Sequence, residues 1–308
     1  MRTSHALSLA SALVLLCATR TFAAWPPGGI HLQRSDPVGL NGTLGLGPDG
    51  AGGTFVAWSE GDTVGVYAFR VHRLDVHGDP PAGWTAAGVR VSSSGGIAGT
   101  PQLAPDGGGG TYIVWARFDS TAWVDHLAAD GSVAPGWPSE GLAVASPGKL
   151  LQVTATADGS GGVLVVWERV APGSASEIYA QHILANGTRA ASFPAAGRPL
   201  TGFAYQRGRF RPQLVRDANR GFWVSFHTVE IDPIFASSAY AVLHLEPSGL
   251  LTTGQPTNGL ALSVPYEEIG TLAPYVPVAL APDGSGGVFA FTLGGNGNVR
   301  AGRSCSRA

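Results

Sequence analysis

Short runs of apolar residues recur along the chain, each following a tight turn rich in Asp and Gly. The turns begin at five Asp residues spaced 52 to 66 residues apart: Asp49, Asp106, Asp158, Asp217 and Asp283. Each following run ends nine residues after its Asp, at Trp58, Trp115, Trp167, Phe226 and Thr292. Self-similarity at a fixed period is typical of repeat architectures. The pattern therefore indicates one structural unit that is repeated five times.

Each unit has four apolar runs in the same order, as the third unit illustrates. One run precedes the turn, Val163–Trp167 follows it, Ile178–Ile183 comes after a variable loop, and Arg198–Leu200 closes the unit. The run after the turn is apolar at consecutive positions, which indicates a strand buried on both faces. Four short strands in about 55 residues are typical of a propeller blade. We predict an all-β fold: a five-bladed β-propeller of four-stranded antiparallel blades.

The two ends of the chain complement each other. The fifth unit reaches only a third run, near residues 299–307, whereas residues 25–32 match the end of a unit such as residues 137–144. We expect residues around Ile30 to Gln33 to pair with residues around Val299 to Ser304, because a closed ring leaves few exposed sheet edges. The alternative is a longer array with further blades after Ala308.

The repeat resembles that of secreted bacterial propeller-type proteins, in which Pro-Asp-Gly-x-Gly-Gly is followed by an apolar run ending in Trp. Residues 101–144 and 152–200 carry the motif most clearly, and the resemblance covers nearly all of the chain after its first 23 residues. The resemblance implies a propeller fold and secretion of the protein, but it implies no particular activity or ligand. The turn is also distantly similar to the Asp-box of sialidases, but the Ser-x-Asp-x-Gly-x-x-Trp spacing is absent.

Composition and the N-terminus narrow the class further. The 45 Gly and 22 Pro residues in 308 argue against a helical bundle, and 44% hydrophobic residues argue against disorder. Residues 1–23 read as a secretory signal peptide, with Arg2 followed by the apolar stretch Ala6–Ala18. We therefore predict one domain over residues 24–308, secreted to the periplasm or outside the cell, with no membrane span after cleavage.

Charge and cysteine content exclude other classes. Without Arg2 and Arg20 the chain has 17 basic and 21 acidic residues, a formal charge of −4, which makes nucleic acid a poor partner. Only Cys305 follows the signal peptide, so no internal disulfide is expected. We expect a monomer without a cofactor.

Three residue types suggest a functional site, but their regular recurrence is better explained by a structural role. His126, His182 and His244 occupy one repeat position on separate third strands, so they should diverge rather than form a metal site. The recurring Trp residues fit packing between blades better than sugar stacking. The repeated Asp residues suit hairpin turns, since one carboxylate per turn is too few for calcium.

The positions that do not repeat are predicted to lie on loops at one face of the propeller, where functional residues concentrate. The candidate ligand-binding residues are Glu60, Asp62, Arg117, Asp119, Glu168, Arg169, Tyr205, Arg207, Arg209, Arg211, Glu230 and Asp232, and the same face carries Glu267 and Glu268. Solvation of charged residues is the plain alternative.

We predict a non-enzymatic module that binds a glycan or a protein surface. Because the run Arg207 to Arg211 suits carboxylate or sulfate groups, an anionic ligand is favoured. The alternative is a glycan-active hydrolase or lyase that uses a carboxylate pair on the same face, Glu168 with Glu230.

Overall fold

The computed structural model describes residue 32 and residues 44–61, 67–85, 87–91, 96–117, 119–144, 149–170, 176–201, 207–231, 236–262, 278–293 and 299–304. These residues form strands and turns, with no helix among them. In this part of the chain, no helix is present that is long and apolar enough to cross a membrane. The predicted signal peptide lies outside the described residues.

The strands form five antiparallel sheets, each a meander of consecutive strands. Sheet 1 contains β1 (Leu44–Pro48), β2 (Thr54–Gly61), β3 (Tyr67–Leu74) and β4 (Val89–Val91). Sheet 2 contains β5 (Ile97–Pro105), β6 (Thr111–Arg117), β7 (Ala122–Leu127) and β8 (Leu142–Ala143). Sheet 3 contains β9 (Lys149–Ala157), β10 (Val163–Val170), β11 (Ser176–Ile183) and β12 (Arg198–Pro199). Sheet 4 contains β13 (Arg207–Arg216), β14 (Phe222–Ile231), β15 (Ala236–Leu245) and β16 (Leu260–Leu262). Sheet 5 contains β17 (Ala279–Pro282), β18 (Val288–Leu293) and β19 (Val299–Ser304).

The Asp turns join the first and second strands of every sheet, as the sequence predicts. In the third sheet, Asp158 Oδ1 accepts hydrogen bonds from the backbone N–H groups of Ser160 and Gly162, at 2.6 and 2.9 Å. The same pair of bonds forms at the other four Asp residues. Gly159 has φ +71°, a conformation that only Gly adopts without strain. The prediction that these Asp residues make turns is confirmed.

Neighbouring sheets stack face to face through apolar layers. One layer joins sheets 1 and 2 around Phe69 and Trp115, the next joins sheets 2 and 3 around Trp137 and Trp167, and further layers join sheets 3, 4 and 5. Along the chain, the first strands β1, β5, β9, β13 and β17 each contact the next, so we call them the inner strands. This all-β, propeller-like arrangement confirms the coarse fold prediction.

The recurring aromatic residues lie within these layers. Trp115 and Trp167 are each 1% exposed, and Trp223 is fully buried. Indole N–H groups also tie one sheet to the next: Trp84 Nε1 donates to the carbonyl of Ala129 at 2.8 Å, and Trp137 Nε1 donates to that of Ala185 at 2.9 Å. The prediction that the recurring aromatic residues pack between blades is therefore confirmed for these five Trp residues; Trp58 is only partly buried, and Trp25 lies outside the described residues.

The short fourth strands of sheets 1 to 4 pair with the third strands at the predicted places. Val89 pairs with Val71, Leu142 with Val124, and Leu260 with Val242. Sheet 5 has three strands among the described residues. The predicted partner of β19, around Ile30 to Gln33, is described only at residue 32, so the closing pair stays a prediction.

Candidate functional site

The three recurring His residues lie at the end of the sheets that carries the Asp turns, which we call the lower end. Each donates from Nε2 to the Oδ2 atom of the turn Asp in its own sheet: His126 to Asp106 at 2.9 Å, His182 to Asp158 at 2.9 Å, and His244 to Asp217 at 2.7 Å. In sheet 1 the Arg73 guanidinium takes this place, 2.9 Å from Asp49 Oδ2. The residues therefore diverge, as predicted, and each ties a third strand to a turn.

These His–Asp pairs make the stability of the fold depend on pH in the acidic range. Burial raises the pKa of Asp158, but the hydrogen bonds from His182, Ser160 and Gly162 outweigh burial and hold that pKa below its usual 3.8; the same balance lowers the pKa of Asp106. A carboxyl whose folded-state pKa is lowered stabilises the fold above its unfolded pKa, and this contribution is lost as the pH falls through the folded value.

We expect the free energy of unfolding to fall as the pH is lowered below about 4, and to fall less steeply in Asp158→Asn. At pH 7 the same substitution should cost about 1–3 kcal/mol, because His182 loses its carboxylate partner in a buried place. Urea unfolding at a series of pH values measures both effects. Equal pH slopes in the two proteins would show that the pair does not titrate with folding.

The predicted site residues that the structure describes lie at the opposite, upper end, but most of these are not in loops. Among the described residues, Glu60, Arg117, Glu168, Arg169, Arg207, Arg209, Arg211 and Glu230 lie in strands, and Asp119 lies in a turn. The loop assignment is wrong for these strand residues because the second strands β2, β6 and β10 continue through Glu60, Arg117 and Arg169. In sheet 4, β13, β14 and β15 are each 10 residues long and extend past the repeat as a paired ladder. What reads as an insert in the sequence is largely a longer strand.

Several of these residues have side chains outside the described part of the structure. This applies to Glu60, Arg207, Arg209 and Glu230, of which the backbone alone is described. Asp62, Tyr205, Asp232, Glu267 and Glu268 lie outside it altogether. Their assignment to a ligand site stays a prediction.

A cavity of about 450 Å³ lies between the inner strands β5, β9 and β13. Its polar lining residues are Thr100, Gln102, Gln152, Thr154 and Gln213, and its apolar lining residues are Ala116, Leu151, Val153 and Pro212. Volumes of this size are typical of small-molecule sites. We call it the inner-strand cavity.

Irregular strand pairing shapes this cavity. The register between β5 and β6 shifts between Ala98 and Gln102, and that between β13 and β14 shifts between Phe210 and Gln213. A third shift lies in β9, opposite Glu168 of β10. β1 and β17 pair regularly over their described residues. Because bulges bend a strand and redirect its side chains, and often occur beside active sites, the three irregular strands mark this region as the candidate site.

Glu168 is a buried carboxyl group beside the cavity, only 3% exposed. Its Oε1 accepts a hydrogen bond from Ser176 Oγ at 2.9 Å, and its Oε2 accepts one from the backbone N–H of Arg211 at 3.2 Å. Arg211 has φ +53° within the β13 bulge, and the next residue, Pro212, lines the cavity. Burial raises the pKa of Glu168, and the bonds from Arg211 and Ser176 offset only part of that effect.

Two arginines at the upper end stack on aromatic rings. The guanidinium carbon of Arg117 lies 4.4 Å from the centre of the Trp123 ring, and that of Arg169 lies 4.7 Å from the centre of the Tyr179 ring. Asp119 Oδ1 accepts from the backbone N–H of Thr121 at 3.0 Å, which makes Asp119 a turn residue. The structure thus brings Glu168 and Arg211 together, whereas Arg117 and Arg169 contact rings in their own sheets.

The sequence analysis missed the glutamines and threonines that line the cavity. Gln102, Thr154 and Gln213 share one repeat position, four residues before the turn Asp, where the first and fifth units have Gly45 and Ala279. That recurrence of polar residues on an inner strand is a readable signal. Among the described residues, no group of three or more His, Cys, Asp or Glu side chains is arranged to hold a metal ion.

No protein-family model matches the chain, and no curated protein matches it. Solved structures do match. A mutant of an α-L-arabinofuranosidase from Fusarium graminearum is 10% identical, with a TM-score of 0.45 over 81% of this chain and 76% of that one. The endo-arabinase of Bacteroides thetaiotaomicron is 10% identical, with a TM-score of 0.39 over 87% and 95%. An α-L-arabinofuranosidase from Podospora anserina is 11% identical, with a TM-score of 0.39 over 88% and 92%.

These matches correct the functional prediction. These three proteins are named as arabinofuranosidases and an endo-arabinase, so the prediction of a module without enzymatic activity disagrees with them, and the alternative of a glycan-active enzyme agrees with them better. At 10–11% identity the likeness identifies no residue of this chain.

Proposed function

We propose that the protein is a glycan-active hydrolase whose substrate binds at the upper end of the sheets, beside the inner-strand cavity, with Glu168 as the proton donor. One observation carries the proposal: a carboxyl group that is 3% exposed, with its pKa raised by burial, lies between the β9 bulge and the β13 bulge. A carboxyl group that stays protonated nearer to neutral pH is what general-acid catalysis requires.

Glycoside hydrolysis commonly uses a second carboxylate, as a nucleophile or as a base that activates water. Glu230 is our candidate. It belongs to β14, where its backbone pairs with Arg207, and β14 is the direct neighbour of the β13 strand whose Arg211 N–H binds Glu168. Glu168 and Glu230 therefore belong to strands of adjacent sheets, at the same end of those sheets.

The test is a screen of purified protein for release of reducing ends from soluble polysaccharides, neutral and acidic, with the Glu168→Gln protein as the blank. Turnover by the wild type that is absent from Glu168→Gln supports the proposal. The absence of turnover on every substrate, or equal turnover by both proteins, contradicts it.

We also propose that the five sheets close into a ring through the segment around Ile30 to Gln33. The outer face of β1 exposes Leu44 and Leu46, at 56% and 64%, whereas Gly45 lies close against sheet 2. At the other end of the series, Phe289 and Phe291 of β18 are exposed by 38% and 37%. Two apolar faces at the ends of a stacked series would bury each other in a ring. Residues 25–32 match the pattern of a fourth strand, and sheet 5 has no fourth strand among the described residues.

Deleting residues 25–34 should therefore expose a sheet edge and two apolar faces, and we expect aggregation and a lower melting temperature. Size-exclusion chromatography and a thermal melt measure these outcomes, with a protein that lacks only residues 1–23 as the control. A deletion variant that remains monomeric and melts like the control would disprove the closure.

Export and partners belong to the same proposal. Residues 1–23 would direct secretion and be removed, and a glycan would be the ligand of a monomeric enzyme. The support is the apolar stretch after Arg2 and the net charge of −4 on residues 24–308, which disfavours nucleic acid.

A further inference from the structure

The lining of the inner-strand cavity is polar but uncharged. Its polar groups are the amides of Gln102, Gln152 and Gln213 and the hydroxyls of Thr100 and Thr154. These five side chains come from three neighbouring inner strands, so they surround the same space from different sides. Amides and hydroxyls both donate and accept hydrogen bonds, as the hydroxyl groups of a sugar do.

Gln152 and Gln213 offer hydrogen-bond acceptors in this lining. The Oε1 atom of Gln152 is buried and has no hydrogen-bond partner among the described residues, although Gln152 belongs to the cavity wall. A buried acceptor without a donor costs free energy, so a rotation of the Gln152 amide that brings Oε1 to a donor on a ligand in the cavity is favoured. Gln213 uses its Nε2 to donate to the carbonyl of Pro212 at 2.9 Å, which leaves its Oε1 as an acceptor on the same wall. Both positions suit a ligand that brings O–H groups.

Among the side chains that the structure describes, the guanidinium groups beside the cavity already face other partners. Arg117 follows the lining residue Ala116 and stacks on Trp123, and Arg169 stacks on Tyr179. Arg211 precedes Pro212, and its charge acts on Glu168. A carboxylate or sulfate in the cavity would thus lose its water and meet neutral amides instead, which is costly for an ion.

We propose that the inner-strand cavity is the specificity subsite of the hydrolase and selects a neutral, polyhydroxyl sugar unit over a uronate or a sulfated sugar. This inference rests on the proposed function, because it names the substrate class of that site. It reverses the preference for an anionic ligand that the run from Arg207 to Arg211 suggests in the sequence.

The test measures binding in the Glu168→Gln protein, which keeps the cavity and separates binding from turnover. Neutral arabino-, xylo-, galacto- and gluco-oligosaccharides are compared by calorimetry with oligogalacturonates and sulfated oligosaccharides of equal length. We expect at least one neutral series to bind about 10-fold or more tightly than the acidic ones. Preference for an acidic series, or binding of neither class, overturns the inference.

Variants of the lining locate the binding. Gln152→Ala and Gln213→Leu should each weaken neutral binding about 5- to 10-fold, the size expected for one lost hydrogen bond. Gln181→Ala is the matched control, because Gln181 is a buried glutamine of β11 outside the cavity wall, and it should change binding less than 2-fold. Thermal melts confirm that each variant is folded. Unchanged binding in both lining variants would place the ligand elsewhere and overturn the inference.

The two proposals fail in different ways. If Glu168→Gln still hydrolyses a neutral glycan, the role of Glu168 is wrong while the substrate class stands. If Glu168→Gln loses turnover of an acidic glycan that it still binds, the substrate class is wrong while the proton donor stands.

Discussion

Trp167→Ala is expected to lower the free energy of unfolding by about 3–5 kcal/mol, the cost of removing a large aromatic side chain from a packed core. Trp167 is 1% exposed and lies in the layer between sheets 2 and 3, and its ring centre is 6.0 Å from that of Tyr179. A Cβ atom at Gly197 would clash with the Trp167 ring, so the backbone of the β12 turn packs directly against the indole. That backbone cannot easily move to fill the space.

The matched control is Trp58, which occupies the same repeat position in sheet 1 but is only partly buried. Trp58→Ala should cost less, because part of the side chain already faces solvent. Urea unfolding followed by circular dichroism gives both values. If the two substitutions cost the same, packing between sheets is not what sets the stability at this repeat position.

The repeat predicted the strands well because it depends on local chemistry. An Asp followed by Gly residues makes the turn, and the apolar run after it makes a strand buried on both faces, as Val163 to Trp167 show. Even the two- and three-residue fourth strands fall where the phase of the repeat places them, for example Leu142–Ala143 in β8. Each unit has the same turn and the same order of apolar runs, so a strand that is unclear in one unit can be located by comparison with another.

The candidate site was harder to predict because it depends on pairing between distant residues. The bulges of β5, β9 and β13 are differences of one or two residues between the two strands of a pair, and no single run of sequence shows them. Charge at Glu168 and Arg211 indicated exposed loops, whereas Glu168 lies in β10 and Arg211 lies in the long strand β13. The sequence analysis correctly predicted that the three His residues do not converge on one site. Their hydrogen bonds to the turn Asp residues became visible only in the structure.

The position of Glu168 follows from these irregular strands. In sheet 3 the β9 bulge interrupts the regular ladder opposite Glu168, and in sheet 4 the β13 bulge turns the N–H of Arg211 toward the carboxylate. Bulges at both places put a carboxyl group, rather than a closed apolar layer, between two sheets at the edge of a cavity. A polar group that is costly to bury is more readily explained by chemistry than by stability.

Glu168→Gln should therefore reduce hydrolysis about 10²- to 10⁴-fold, the usual contribution of a general acid. The fold should tolerate the change, because the amide oxygen can accept from the Arg211 N–H and the amide nitrogen can donate to Ser176 Oγ. Glu177→Gln is the matched control: Glu177 is a buried glutamate on β11 at the same end, and we expect its loss to leave hydrolysis within a few-fold of wild type. Equal losses in both variants would show that neither carboxyl group acts as the specific proton donor.

The pH dependence of stability tests the protonation of Glu168 separately from activity. Burial raises the pKa of this carboxyl above its usual 4.5, so its contribution to stability is full below the unfolded pKa and is lost as the pH rises through the folded value. The amide in Glu168→Gln does not titrate. The variant should therefore gain stability relative to the wild type as the pH is raised from 4 through the pKa of Glu168. Hydrolysis by the wild type should decline in the same pH range, on the alkaline side of its optimum, because the proton donor is then ionised. A difference in the free energy of unfolding that is constant from pH 4 to 8 would mean that the pKa of Glu168 is the same in the folded and unfolded states, so that burial does not hold its proton toward neutral pH.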